Sequence, residues 1–157
     1  MKEARNVESF SLDHTKVRAP YIRLAGKKAG PAGDIVTKFD VRFCQPNSEV
    51  METGAMHTLE HLMAEYIRDE LEGVIDLSPM GCRTGFYLAL FGTPEESFVA
   101  EKLRNVLVKV AAWPDSEDVP GVDPVMCGNW KDHDLAGARL WARCWIEGID
   151  RKGWACC

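Results

Sequence analysis

The residues of this chain best suited to chemistry are two histidines and a glutamate in the segment His57-Thr58-Leu59-Glu60-His61. Helical spacing places His57 and His61 one turn apart on the same face, where two imidazoles can chelate one metal ion. Glu60 lies in the same arc, so it can reach the neighbourhood of the ion without being a ligand. An H-x-x-E-H helix is a known metal-site signature in which the acid carries protons. The segment therefore predicts a divalent metal site with an acid/base group beside it.

Two of the six cysteines can add a thiolate to that site. Cys82 stands in a Gly-Cys loop after a predicted strand, and Cys127 in a Cys-Gly loop after a long connection; such loops commonly carry ligands and catalytic groups. With both thiolates the site would be a closed, structural Cys₂His₂ site, whereas one thiolate would leave a position open for water or substrate. The spacing does not choose between them. Glu60 favours a catalytic site, because a closed structural site has no use for an acid there.

The elements that must position these residues indicate an α+β fold. The clearest strand, residues 34–44, alternates an apolar face with a more polar face that carries Arg42. Other strands are predicted at residues 21–25, 74–77 and 86–91, and helices at 56–71, 94–112 and 135–149. Thr93 is expected to be the N-cap of the second helix, with Glu96 completing a capping box. This order predicts an antiparallel sheet with helices packed on one face.

Size and charge limit the possible functions. The 157 residues are about the size of one domain, so residues 1–157 are expected to form a single catalytic domain with a mobile tail at 152–157. The net charge of -5 and the scattered basic residues argue against nucleic-acid binding. No apolar run approaches the ~20 residues that span a bilayer, which argues against a membrane protein. The N-terminal segment has no apolar signal region, so a cytoplasmic location is expected.

Several segments together resemble the S-ribosylhomocysteine lyases, the LuxS family. They extend from Val7 to Ala138, and the joint pattern is highly specific although no single piece would be. Besides the histidine segment, the matching pieces include Val7-Glu8-Ser9-Phe10, Leu12-Asp13-His14, Arg42-Phe43-Cys44-Gln45-Pro46-Asn47, Ser78-Pro79-Met80-Gly81-Cys82, Thr84-Gly85, Cys127-Gly128 and His133-Asp134-Leu135. The resemblance implies a fold similar to that of the H-x-x-E-H peptidases.

The resemblance also implies a role for particular residues. The implied metal ligands are His57, His61 and Cys127. The implied acid/base groups are Cys82 and Glu60. The implied substrate-lining residues are Ser9, His14, Arg42 and Asp76. The implied metal is Fe²⁺, replaceable by Zn²⁺ or Co²⁺, in a homodimer whose active sites lie at the subunit interface.

The implied reaction cleaves S-ribosylhomocysteine. The sugar carbonyl migrates along the ribose through enediolates, and homocysteine is then eliminated as a thiolate. The other product, 4,5-dihydroxy-2,3-pentanedione, is the precursor of autoinducer-2. Such a reaction is a series of proton transfers next to carbonyls, for which a Lewis acid and two acid/base groups are suited.

Two other functions fit the same histidine segment. An H-x-x-E-H metallopeptidase would need a downstream glutamate as third ligand; Glu117 and Glu147 are available, but neither stands in a supporting motif. A non-enzymatic domain could instead use Cys82 and Cys127 in a structural zinc site. The first alternative needs a carboxylate beside the histidines, and the second needs both thiolates.

Overall fold

The computed structural model describes residues 7–156, which contain four strands and four helices. Along the chain they are α1 (Glu8–Ser11), β1 (Tyr21–Ala29), β2 (Ile35–Arg42), α2 (Thr53–Glu70), β3 (Val74–Pro79), β4 (Gly85–Phe91), α3 (Glu96–Ala111) and α4 (Leu135–Lys152). The strands form one antiparallel sheet in the order β1-β2-β4-β3. The predicted α+β fold is confirmed.

The three long helices pack on one another and against the sheet. Phe39 and Val41 of β2, on the apolar face expected from the alternation, join the same buried cluster as Leu59 and Leu62 of α2 and Trp145 of α4. Removal of these apolar side chains from water is the main favourable contribution to folding. The apolar side of α2 therefore fixes the helix that carries the histidine segment.

The other face of β2 differs from the expectation at its carboxyl end. Asp40 has 0% and Arg42 only 2% of its surface exposed, so the polar face is buried there. Arg42 Nη2 lies 2.7 Å from Asp40 Oδ2, and the Tyr21 hydroxyl donates to the same oxygen at 3.2 Å. A buried charge requires a paired, hydrogen-bonded partner, and Asp40 provides it for Arg42.

The predicted capping box of α3 is wrong. The helix begins at Glu96 with Glu95 as its N-cap, and no side chain caps it there. The carboxylate of Glu96 instead accepts a hydrogen bond from the backbone N–H of Leu24 at 2.5 Å. Leu24 precedes an irregularity in the pairing of β1 with β2, where the strand register shifts before Gly26. The capping-box motif assigns the Glu96 side chain to the helix terminus, but in the structure this side chain forms a tertiary contact with β1.

The segment after α4 lies beside the beginning of β1. The carbonyls of Trp154 and Cys156 accept hydrogen bonds from the N–H groups of Ile22 and Arg18, at 3.0 and 2.8 Å. Cys157 lies outside the described residues. The single-domain organisation and the mobility of residues 152–157 stay predictions. None of the helices within residues 7–156 is long and apolar enough to cross a membrane.

Candidate functional site

The two histidines of α2 are oriented by backbone carbonyls from distant loops. His57 Nδ1 lies 2.9 Å from the carbonyl oxygen of Asp132, and His61 Nδ1 lies 2.7 Å from that of Pro120. A carbonyl oxygen can only accept, so each neutral ring carries its hydrogen on Nδ1 and a lone pair on Nε2. A carbonyl partner of this kind is usual for a metal-ligating histidine, because it fixes both tautomer and ring orientation.

Cys127 brings a sulfur to these rings from a distant turn. Its Sγ lies 3.3 Å from His57 Nε2, and its backbone N–H donates to the carbonyl of Asp123 at 2.9 Å. One ligand atom from each of His57, His61, Cys127 and His133 lies within 4.8 Å of the others. We call these four residues the metal group. Imidazole nitrogen and thiolate sulfur suit Zn²⁺, Fe²⁺ and Co²⁺, so the group is able to hold one divalent ion.

His133 is a member that the sequence reasoning missed. Thr58 Oγ1 donates to the carbonyl of Gly54 at 2.9 Å, so at 3.1 Å it can accept from His133 Nδ1. The buried Nε2 then carries the lone pair, and it has no hydrogen-bond partner among residues 7–156. Burial and the neighbouring rings of His57 and His61 lower the pKa of His133 from 6.5 to about 4. The sequence signal that could have identified His133 as a ligand candidate is its position shortly after Cys127.

The composition of the metal group bears on the two alternatives. Within residues 7–156, the group contains neither Cys82 nor a carboxylate. A closed site built on Cys82 and Cys127 is therefore not what the structure shows. The glutamate ligand that a metallopeptidase would require, whether Glu117 or Glu147, is likewise outside the group.

Glu60 lies beside the metal group. Its Oε2 is 3.8 Å from His61 Nε2, and 29% of its side chain is exposed. It lines an open cavity of about 370 Å³ together with His61, Arg68 and Met126. A carboxylate so placed can exchange protons with a molecule in that cavity.

Cys82 lies in a second cavity, of about 380 Å³, which we call the cysteine cavity. Four residues singled out from the sequence line it together: Ser9, His14, Arg42 and Cys82. Tyr87 lines the cavity as well. Cys82 is exposed, and its Sγ lies 3.1 Å from Thr84 Oγ1.

Asp76 is not brought into the cysteine cavity. It lies exposed on β3, opposite Ala89 of β4. The metal group is absent from the lining of the cysteine cavity, and that lining shares no residue with the cavity that contains Glu60 and His61. Within residues 7–156, Cys82 therefore lines a cavity that no member of the metal group lines, and His61 lines a different one.

The fold and the site together are those of an α+β protein able to bind a metal ion. Its H-x-x-E-H helix places two imidazoles beside a thiolate from a distant loop. The family model described as S-Ribosylhomocysteinase (LuxS) matches residues 7–154 of this chain. The chain belongs to that family, as the resemblance of its sequence segments had implied.

Similar proteins from several bacteria carry the name S-ribosylhomocysteine lyase. The Thermus thermophilus protein is 60% identical over 136 residues, which cover 87% of this chain and 86% of that protein. The Deinococcus radiodurans protein is 54% identical over 143 residues, covering 91% and 89%. The Streptococcus suis protein is 48% identical over 143 residues, again covering 91% and 89%.

Proposed function

We propose that this chain is an S-ribosylhomocysteine lyase that forms homocysteine and 4,5-dihydroxy-2,3-pentanedione, the precursor of autoinducer-2. The observation that carries the proposal is the metal group, found in a chain whose family and relatives bear that name. Substrate cleavage in this reaction is a carbon–sulfur elimination. It requires proton removal next to a carbonyl, which an electrophile and acid/base side chains promote.

The proposed metal ligands are His57, His61 and Cys127. Their Nε2 and Sγ atoms converge, and each histidine already has its other nitrogen bound to a carbonyl. His133 adds a nearby third nitrogen, which is the fourth ligand atom of the metal group. The proposed ion is Fe²⁺, for which Zn²⁺ or Co²⁺ can substitute, since imidazole and thiolate donors suit all three. When bound, the ion supplies Lewis-acid polarisation of the sugar carbonyl.

Cys82 and Glu60 are proposed as the acid/base groups. The Cys82 thiolate would take a proton from one sugar carbon and, as a thiol, return it to the neighbouring carbon. The carbonyl group would thereby move from one carbon of the sugar to the next. Glu60 would carry protons between the sugar oxygens and assist the final loss of homocysteine thiolate. Positioned groups of this kind typically contribute about 10²–10⁴-fold each.

Ser9, His14, Arg42 and Asp76 are proposed to line the substrate site. The first three share a cavity with Cys82, which supports their assignment. His14 Nδ1 is bound to the carbonyl of Leu12 at 2.9 Å, so Nε2 remains for substrate. Asp76 is exposed on β3 and would meet substrate only where a second copy of the chain completes the site.

We further propose a homodimer in which the cysteine cavity of one protomer faces the metal group of its partner. The separation of the two cavities within one chain supports this arrangement. Exposed apolar side chains border both: Phe10 (86% exposed) lines the cysteine cavity, and Val125 (91%) and Met126 (72%) precede Cys127. Exposed apolar surface of this kind commonly marks a protein–protein interface.

We propose a cytoplasmic location, because a reducing environment keeps ligand and catalytic thiols free.

The activity is tested by incubating purified, metal-loaded protein with S-ribosylhomocysteine and measuring the released thiol. We expect release of homocysteine that stops when a chelator removes the metal. A parallel assay with casein tests the metallopeptidase alternative. Casein hydrolysis without thiol release would contradict the proposal.

The shared site is tested by mixing two inactive variants, Cys82→Ala and Glu60→Gln, and allowing subunit exchange. In a mixed dimer one site would carry both substitutions and the other neither. Random exchange should therefore restore about a quarter of wild-type activity in a symmetric dimer. If each chain formed its own complete site, mixing would restore none.

A further inference from the structure

A line of hydrogen-bonded side chains connects the interior of the sheet to Cys82. Asp40 accepts from Arg42 Nε at 3.1 Å and from Arg42 Nη2 at 2.7 Å. Arg42 Nη1 donates to Thr84 Oγ1 at 2.6 Å, and that oxygen lies 3.1 Å from Cys82 Sγ. The buried ion pair is thus joined to the exposed thiol through one hydroxyl group.

The chemistry of these groups determines which atom donates at each step. A guanidinium has only donors, so Thr84 Oγ1 must accept from Arg42. One lone pair and the hydroxyl hydrogen of Thr84 then remain for Cys82. Because a hydroxyl hydrogen rotates freely, Thr84 can donate to a thiolate or accept from a thiol without displacement of any heavy atom.

The backbone around Thr84 holds this hydroxyl in place. Its carbonyl accepts hydrogen bonds from the N–H groups of Phe43 and Cys44, at 2.9 and 3.0 Å, and only 4% of the residue is exposed. At the next residue, Gly85, an added Cβ would collide with the carbonyl oxygen of Val41. The residues that follow Cys82 therefore pack directly against β2 and the residues after it, so the orientation of Thr84 depends on the sheet.

We propose that Thr84 is a positioning residue that holds the Cys82 sulfur in one place in both of its protonation states. The inference rests on the acid/base role proposed for Cys82 and deepens it. A group that takes a proton from one carbon and returns it to the next has to keep its position while its charge changes. Thr84 meets that requirement because its hydroxyl pairs with either state, and in the thiolate state it connects the negative sulfur to the positive charge of Arg42.

The experiment measures alkylation of Cys82 by iodoacetamide at neutral pH, resolved by peptide mass spectrometry. Cys144, which is exposed on α4, is the internal reference in the same chain. Thr84→Val removes the hydroxyl at nearly constant shape, and we expect Cys82 to react at least ~10-fold more slowly, as for loss of a hydrogen bond to a charged group. Thr84→Ser keeps the hydroxyl and should restore most of the rate. With substrate, Thr84→Val should lower kcat more than it raises KM.

Two results would overturn the inference. One is a folded Thr84→Val protein whose Cys82 reacts as fast, relative to Cys144, as in the wild type. The other is a Thr84→Ser protein that is as slow as Thr84→Val. If Thr84→Val does not give the wild-type circular dichroism spectrum, Thr84→Ala replaces it with the same expected loss. Alkylation needs no S-ribosylhomocysteine, so the absence of lyase activity would contradict the proposed function and leave this test unaffected.

Discussion

The metal group and the cysteine cavity orient their polar side chains by different means. In the metal group, the Nδ1 atoms of the three histidines bond to uncharged oxygens: the carbonyls of Asp132 and Pro120, and the hydroxyl of Thr58. In the cysteine cavity, a buried ion pair with Asp40 orients Arg42, which is linked through Thr84 to Cys82. Oxygen partners at Nδ1 leave Nε2 of each neutral ring for a metal ion, whereas a charged network can stabilise a thiolate.

The largest expected effect separates the two cysteines. Cys127→Ala should lose the metal and with it all turnover, because it removes a proposed ligand. Cys82→Ala should keep the metal but lower turnover by about 10²–10⁴-fold, the usual contribution of a positioned acid/base group. Metal content by elemental analysis and thiol release, measured on both variants, check this pair.

Cys144→Ala is the control for both substitutions, since this exposed cysteine of α4 belongs neither to the metal group nor to the lining of the cysteine cavity. It should keep both metal and activity. Loss of metal from Cys82→Ala would mean that the two regions share the ion, and the comparison between them would fail.

The second prediction concerns the ion pair in the cysteine cavity. Asp40→Asn leaves the buried guanidinium of Arg42 without its counter-charge. Removing one partner of a buried pair costs about 3–5 kcal/mol, so urea unfolding should show a loss of that order. The metal content of the folded protein should be unchanged, because neutral oxygens orient the metal group.

Asp34→Asn, at an exposed carboxylate immediately before β2, is the matched control and should leave the free energy of unfolding within about 0.5 kcal/mol of wild type. If Asp40→Asn instead released metal from a folded protein, the two regions would be coupled through the sheet. The distinction between a charged and an uncharged region would then need revision.

The smallest effect is expected in the support of His133. Thr58→Val removes the hydroxyl that holds His133 Nδ1 while the three proposed ligands keep their partners. Outer partners of this kind typically change metal affinity by about 10–100-fold, and we expect the lower end. Competition with a chelator of known affinity measures the change. Thr58→Ser should behave like the wild type, and an unchanged affinity in Thr58→Val would mean that His133 does not contribute to binding the ion.

Much of the fold followed from local patterns. The alternation along β2 and the periodicity of α2 predicted real elements, because each period reflects which side chains share one face. The start of α3 was predicted wrongly, since Glu96 bonds to Leu24 and no local rule describes that contact. Burial of Arg42 was also missed, because an arginine on a strand is buried only where a partner such as Asp40 is supplied.

By itself, the sequence determined that His57 and His61 share one helical face with Glu60 beside them, because a turn of helix repeats every 3.6 residues whatever surrounds it. Only the tertiary structure decided which other groups meet them. Cys127 is 70 residues from His57 in the chain, and His133 was not singled out as a ligand at all. It also decided that Asp76 lies away from the cysteine cavity. Contacts between distant segments depend on how helices and loops pack over the sheet, which local periodicity does not specify.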